Sequence, residues 1–448
     1  MDSREQYEDT PSQPFLDVLT ELSAGLAILS VIQRQQEAPP GTISENPVRR
    51  FNSASESEFV DKIQVPLPDL LWAFSLLFSP SREWPHVVAS VLREEPQNQF
   101  TLYLANNRGS RSPEEEEYSN KWQKAVNSDD KTDLWPELAG TCTKRLESYT
   151  GINTISADAI SEQFCKEIRD FATRASPGEP TGFPSALMNL IEKDLVPKLG
   201  NKASSTPLAD KCWQFLRDHG DQFNEMFAQL PRWPSYRDAD LPLSAHPTQL
   251  TLLSFRKAIE NLAKLPRALS IFNEFRDALV SKGARFEIKL IPAPDTNGAP
   301  GPSKAIKAIK TLTAPLEKSG LIASHKVKEA IGIASRQQDR KPHCEIQMVQ
   351  YFDQNQAERA GTWNVMGSSK RPCFACASLL RCSDFLFKES HGKAYPQHFQ
   401  PAVKWFENNP NMKSAIRALK EDVVMRINSY KRALKQEYEV PDSATFFY

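Results

Sequence analysis

Apolar residues recur at helical intervals over residues 15–33 and stop at Glu37-Ala38-Pro39-Pro40-Gly41, after which 42–56 reads as a polar loop. The same spacing predicts helices over 68–78, 86–94, 157–173, 185–199 and 211–229. Residues 106–119 read as a loop in which Glu114-Glu115-Glu116-Glu117 is a solvated charge run, and 174–184 and 201–207 as turn-rich connectors. Pro231, Pro234, Pro242 and Pro247 make 230–247 the best domain boundary. Helical patterning resumes over 249–280, and 286–291 is the one clear strand candidate before position 343. Residues 303–337 read mostly as helix, broken near Pro315 and Gly320, and 412–438 as an amphipathic helix that packs on the layer bearing the chemistry. The chain thus divides into 1–245, mostly α-helical and of unassigned role, and 246–448, with a motif core at 343–401.

That core carries the most specific chemistry in the sequence. His343-Cys344-Glu345 is followed by Pro372-Cys373-Phe374-Ala375-Cys376, with room between for a helix end, a strand and a second helix. Ile346, Val349 and Phe352 recur three apart, which places His343 and Glu345 in the first turn of a helix, where free backbone N–H groups favour a carboxylate. Pro372 suits the first position of another helix, and Cys373 and Cys376, three apart, share one face of it. Residues 362–366 alternate like a strand, and Gly367-Ser368-Ser369 reads as the turn into the second helix.

One imidazole and two thiolates are expected to hold zinc tetrahedrally with a position left for water, so His343, Cys373 and Cys376 are the candidate ligands. Zinc lowers the pKa of such a water to about 7, and Glu345, not itself a ligand, is placed to carry the proton to a leaving amine. The order H-x-E…P-C-x-x-C is that of zinc-dependent nucleobase deaminases. A rival set of Cys373 and Cys376 with His391 and His398 spaces its histidines too widely and leaves His343 and Glu345 unused. Cys344 is a spacer that adjoins Glu345, Cys382 reads as a buried residue on the second helix, and Cys142, Cys165 and Cys212 read as core.

The stretch from His343 to about Pro401 resembles the OTT-like deaminase family, a branch of the cytidine deaminase-like superfamily expanded in fungi. The residues that carry the resemblance are His343-Cys344-Glu345-Ile346-Gln347, Tyr351-Phe352, Gly367-Ser368-Ser369-Lys370, Cys373-Phe374-Ala375-Cys376, His391-Gly392-Lys393 and Tyr395-Pro396. The resemblance implies a three-layer α/β/α fold, a zinc site at His343, Cys373 and Cys376, and Glu345 as proton shuttle. It also implies a β-hairpin just before the H-x-E helix, where this chain shows a helical pattern instead.

Composition narrows the remaining choices. With 55 Lys and Arg against 56 Asp and Glu, the 448-residue chain as a whole is no generic binder of polyanions. Basic residues nevertheless gather near the motif: Lys304, Lys307 and Lys310 on one helical face, then Lys318, Lys326, Lys328, Arg336, Arg340 and Lys341, with Lys370 and Arg371 on the far side. This approach favours a nucleotide or single-stranded nucleic acid as partner, with Lys370, Arg371, Trp363 and Tyr395 as substrate contacts and Tyr351 and Phe374 as further stacking candidates. The helical N-terminal half offers a surface for a protein partner. The alternative to an enzyme is a scaffold or binding protein whose zinc is structural. A polar start, apolar stretches (22–32 and 67–78) too short to span a bilayer, and unpaired cysteines point to an intracellular, cytoplasmic or nuclear setting without a membrane.

Overall fold

The computed structural model describes residues 13–35, 65–80, 86–107, 113–128, 133–150, 166, 170, 182–195, 205–229, 247–292, 302–318, 320, 322–335, 342–387, 390, 393–395 and 403–438. The expected loop at 42–56, nearly all of the helix at 157–173, and the boundary at 230–246 lie outside them, as do Cys165, Arg336, Arg340, Lys341, His391 and His398.

Helices dominate, arranged around one small mixed sheet. In chain order the first elements are α1 (Gln13–Gln35), α2 (Leu67–Leu77), β1 (Val88–Glu95), β2 (Gln99–Asn106) and α3 (Pro113–Val126). Then come α4 (Trp135–Thr141), α5 (Thr143–Thr150), α6 (Gly182–Asn189, continuing as a π-helical turn to Leu195), α7 (Ser205–Gln229), α8 (Pro247–Leu262) and α9 (Lys264–Ser281). The remainder comprises β3 (Arg285–Leu290), α10 (Pro302–Lys318), α11 (Ser324–Ser335), α12 (Cys344–Gln354), α13 (Gln356–Arg359), β4 (Gly367–Ser368), α14 (Phe374–Leu380), α15 (Val403–Asn408) and α16 (Pro410–Tyr438).

The sheet order is β3-β2-β1-β4, with β2 and β3 parallel and the other pairs antiparallel. Its strands come from both sides of the expected domain boundary. Alternate residues of β1 and β2 enter two separate cores. Val88, Leu92, Phe100, Leu102 and Leu104 pack with α2, α9 and the helices between. Ala89, Val91, Tyr103 and Ala105 pack with α1, α10, α11, α12, α14 and α16. Helices therefore cover both faces of the sheet.

Burial on both faces explains the main correction to the sequence reading. β1 (Val88–Glu95) stands where a helix was expected over 86–94, because a strand that is apolar on both sides loses the polar alternation that would mark it. β1 and β2 form a hairpin whose turn places Gln97 and Asn98 at positive φ. The expected loop at 106–119 is likewise shorter: α3 begins at Pro113, and Glu114, Glu115 and Glu116 occupy its first turn, where the helix dipole favours acids. α6 and α7 also start inside the expected connectors, at Gly182 and Ser205.

The strand expected at 362–366 moves C-terminally. Thr362 and Val365 make only isolated bridges, to Arg93 and Leu386, and the ladder with β1 forms at Gly367 and Ser368 instead. Gly367 thus serves close approach rather than a turn: a Cβ there would lie 2.3 Å from the Leu71 carbonyl carbon of α2. Beside it, the buried Ser75 hydroxyl donates to Ser90, which donates to the Leu71 carbonyl, so α2 is tied to β1 at the same level. The strand expected at 286–291 forms as β3. Its outer edge is capped from α3 and the residue that follows it: Asn127 exchanges two hydrogen bonds with Phe286, and Gln123 of α3 accepts from the Ile288 N–H.

The expected apolar stretch of 22–32 is part of a longer helix. Residues Phe15–Gln33 of α1 are long and apolar enough to cross a membrane, yet 78% of that window is buried inside the protein. Gly25 lies so close to Val423 of α16 that a Cβ would come within 2.7 Å of it.

Replacing Gly367 with Ala is expected to force β4 and α2 apart and to cost about 1–3 kcal/mol, the usual range for overpacking. Gly140→Ala, with nothing within 4 Å of its added carbon, is expected to leave the urea midpoint unchanged or raise it slightly. Equal midpoints for the two variants would refute this account of the α2–β4 contact.

Candidate metal centre

Two helix N-termini meet at the candidate site. His343 is the N-cap of α12 rather than a first-turn residue, and its carbonyl accepts from the Ile346 and Gln347 amides. Cys373, not Pro372, sits at the start of α14: it is the N-cap, and its sulfur accepts from the Cys376 N–H at 3.5 Å. Pro372 is the residue before, and the three-residue spacing then returns Cys376 to the same end.

The geometry brings the three expected ligands together. His343 Nδ1 lies 3.6 Å from Cys373 Sγ and 3.4 Å from Cys376 Sγ, and all three donor atoms fall within 4.8 Å of one another. All are buried, with His343 6% exposed and Cys376 fully covered. Glu345 is 3% exposed and stands beside this trio without being part of it. Its Oε2 is 3.6 Å from Cys376 Sγ and 3.5 Å from Cys344 Sγ, and its Oε1 accepts from Ser368 Oγ at 3.3 Å.

Electrostatics separate the two thiols. Burial raises the Cys373 thiol, but the hydrogen bond from Cys376 and the neighbouring His343 outweigh it and hold the group well below its ordinary value. Burial and the adjacent Cys373 push Cys376 well above its own. Burial also raises the Glu345 carboxyl, with His343 opposing.

The helix that presents His343 and Glu345 is held at both ends. At its start, Asn107, just after β2, accepts from the Cys344 N–H through Oδ1 at 2.7 Å, linking residues 237 apart in the chain. Gln347 donates to the carbonyls of Asn106 and Pro342. At its far end, Tyr351 donates to Glu358, which pairs with Lys289 of β3 at 2.6 Å. Lys289 also stands over the Tyr103 and Tyr351 rings. No hairpin stands just before α12 among the described residues, where α11 precedes it instead; the β1–β2 hairpin that α12 packs against comes from much earlier in the chain.

The other sequence candidates lie as follows. Lys370, Arg371 and Tyr395 are exposed in the segments that flank Cys373. Trp363 packs against Phe100, in the core on the opposite face of the sheet from the trio. Tyr351 belongs to the Glu358–Lys289 network, and Phe374 is buried under the Arg426 guanidinium. Lys304, Lys307 and Lys310 are exposed on α10 while Ile309 is buried, as the periodicity required. Cys382 is exposed beyond the end of α14, not buried on it, and Cys142 and Cys212 are core. Asn107 and Ser368 were missed because one fell in an expected loop and the other in an expected turn. A strand assignment for 99–106 would have exposed the first.

With its thiol raised, Cys376 stays protonated at neutral pH until a metal displaces the proton. Metal affinity is therefore expected to rise with pH, by about tenfold per unit for that proton. Competition titrations between pH 6 and 8 check this, and His343→Ala or Cys376→Ser is expected to abolish stoichiometric binding. A flat pH profile would contradict the protonated Cys376.

Residues 342–402 match the model of the OTT_1508-like deaminase family. No curated protein and no solved structure matches the chain. The matched stretch contains the buried trio and Glu345 together, so the similarity to OTT-like deaminases falls on the segment that carries the candidate site.

Proposed function

We propose that the chain is a zinc-dependent hydrolytic deaminase acting on a nucleobase, cytosine or adenine, within a nucleotide or nucleic acid. In this reading the helices on both faces of the sheet form the α/β/α layers of a cytidine deaminase-like domain. One imidazole nitrogen and two sulfurs suit zinc, and three protein donors leave one tetrahedral position for solvent. When bound there, zinc would lower the pKa of a water to about 7.

The observation that carries the reading is the placement of Glu345. A buried carboxyl has been brought to 3.6 Å from a ligand sulfur yet contributes nothing to the donor set. Its raised pKa suits a group that accepts a proton and returns it to a ring nitrogen and a leaving amine. Burial strengthens these interactions by excluding bulk water. Exposed Lys370, Arg371 and Tyr395 give the segments around Cys373 a cationic and aromatic character that favours a phosphate-bearing base.

A second reading, a scaffold with structural zinc, draws on the near-complete burial of the trio. It leaves the Glu345 carboxylate without a purpose. Metal analysis followed by an ammonia-release screen over nucleosides, nucleotides and single-stranded DNA and RNA separates the two. Glu345→Gln is expected to keep one zinc per chain and to lose turnover by about 10²–10⁴-fold. Zinc in the wild type with no ammonia from any base would favour the scaffold, and full activity in the zinc-loaded variant would remove Glu345 from the mechanism.

A further inference from the structure

The geometry points to Ser368 as a positioning residue that keeps the Glu345 carboxylate off the metal, so that it acts as proton carrier and not as a fourth ligand. The inference rests on the reading of Glu345 given above. The two carboxylate oxygens have different surroundings. Oε1 accepts from Ser368 Oγ at 3.3 Å, while Oε2 faces the sulfurs of Cys344 and Cys376 at 3.5 and 3.6 Å.

A carboxylate ligates zinc at about 2.0–2.2 Å, and Oε2 already touches a ligand atom. Side-chain rotation is therefore the movement by which it would become a ligand. As a metal ligand, Cys376 has no proton left to donate to Oε2. The Cys344 thiol is a weak donor. Among the side-chain contacts of Glu345, the Ser368 hydroxyl is then the neutral oxygen donor that remains, beside a backbone N–H of Glu345 itself.

Ser368 can resist such a rotation because the sheet, and not α12, fixes it. Its backbone pairs with Ala89, and Gly367 before it is pressed against Leu71. Ser369 after it donates its N–H to the Val88 carbonyl at 2.9 Å and accepts from the Val88 N–H at 3.0 Å. The hydroxyl thus reaches the carboxylate from a separate, rigid element.

Cobalt(II) loaded in place of zinc tests this directly, since its visible bands report the ligand set. Ser368→Ala is expected to bind one cobalt per chain, with altered bands and weakened uptake of added azide, because the carboxylate oxygen occupies the solvent position. The double variant Ser368→Ala, Glu345→Gln is expected to return to the spectrum of Glu345→Gln alone. Ser368→Thr, which keeps the hydroxyl, and Ser369→Ala, which loosens the same strand without touching Glu345, are expected to resemble the wild type. Ammonia release, where the wild type shows it, should fall about 10–100-fold in Ser368→Ala and persist in Ser368→Thr.

A Ser368→Ala spectrum and azide titration identical to the wild type would overturn the proposal, as would the same spectral change in Ser369→Ala. Altered bands in Ser368→Ala, with no ammonia released by the wild type, would uphold the positioning while rejecting the deaminase reading.

Discussion

The hydrogen bond from the Cys344 N–H to Asn107 is the constraint on which the rest depends. It fixes the start of α12 against the end of the β1–β2 hairpin, and so fixes where His343 and Glu345 emerge. β1 in turn carries β4, whose Ser368 meets Glu345 from the other side. The chain between Ser369 and Cys373 then delivers α14 with its two sulfurs. Each donor is thereby positioned with reference to the sheet. Lys289, Glu358 and Tyr351 close the far end of α12 in the same way, so the helix has little freedom to slide or turn.

The division of labour within the site follows from burial. A donor trio withdrawn from water makes each charge expensive; the hydrogen bond from Cys376 and the neighbouring His343 overcome that cost at Cys373, while Cys376 is forced high. A carboxyl in the same setting is raised rather than ionised freely. The polar contacts of Cys344, Ser368 and Cys376 around Glu345 are few and short-ranged, and they determine which of its oxygens faces the sulfurs.

The grouping of the candidate metal trio was legible in the sequence because it is written in local spacing: His343 two residues before Glu345, and Cys373 three before Cys376, each at a helix start. The sheet was far less legible. β1 is apolar toward both cores, so its period could be taken for a helix, and its partner β2 went unread. Gly367 and Ser368 had the composition of a turn, yet tertiary packing against Leu71 made them strand. The capping role of Asn107 depends on a partner 237 residues away, a distance that no local window spans.

That separation has a consequence for biogenesis. The hairpin is synthesised early, but its parallel neighbour β3 and the short strand β4 follow only after the long helical block of α3–α9. Closing so large a loop is entropically slow, and pairings of this kind lower folding rates. Until the ribosome has released the last third of the polypeptide, the apolar side of β1 and β2 that α12 and α14 later cover has no native shelter. Nascent chains halted before that point would present this bare apolar face to the cell's chaperones.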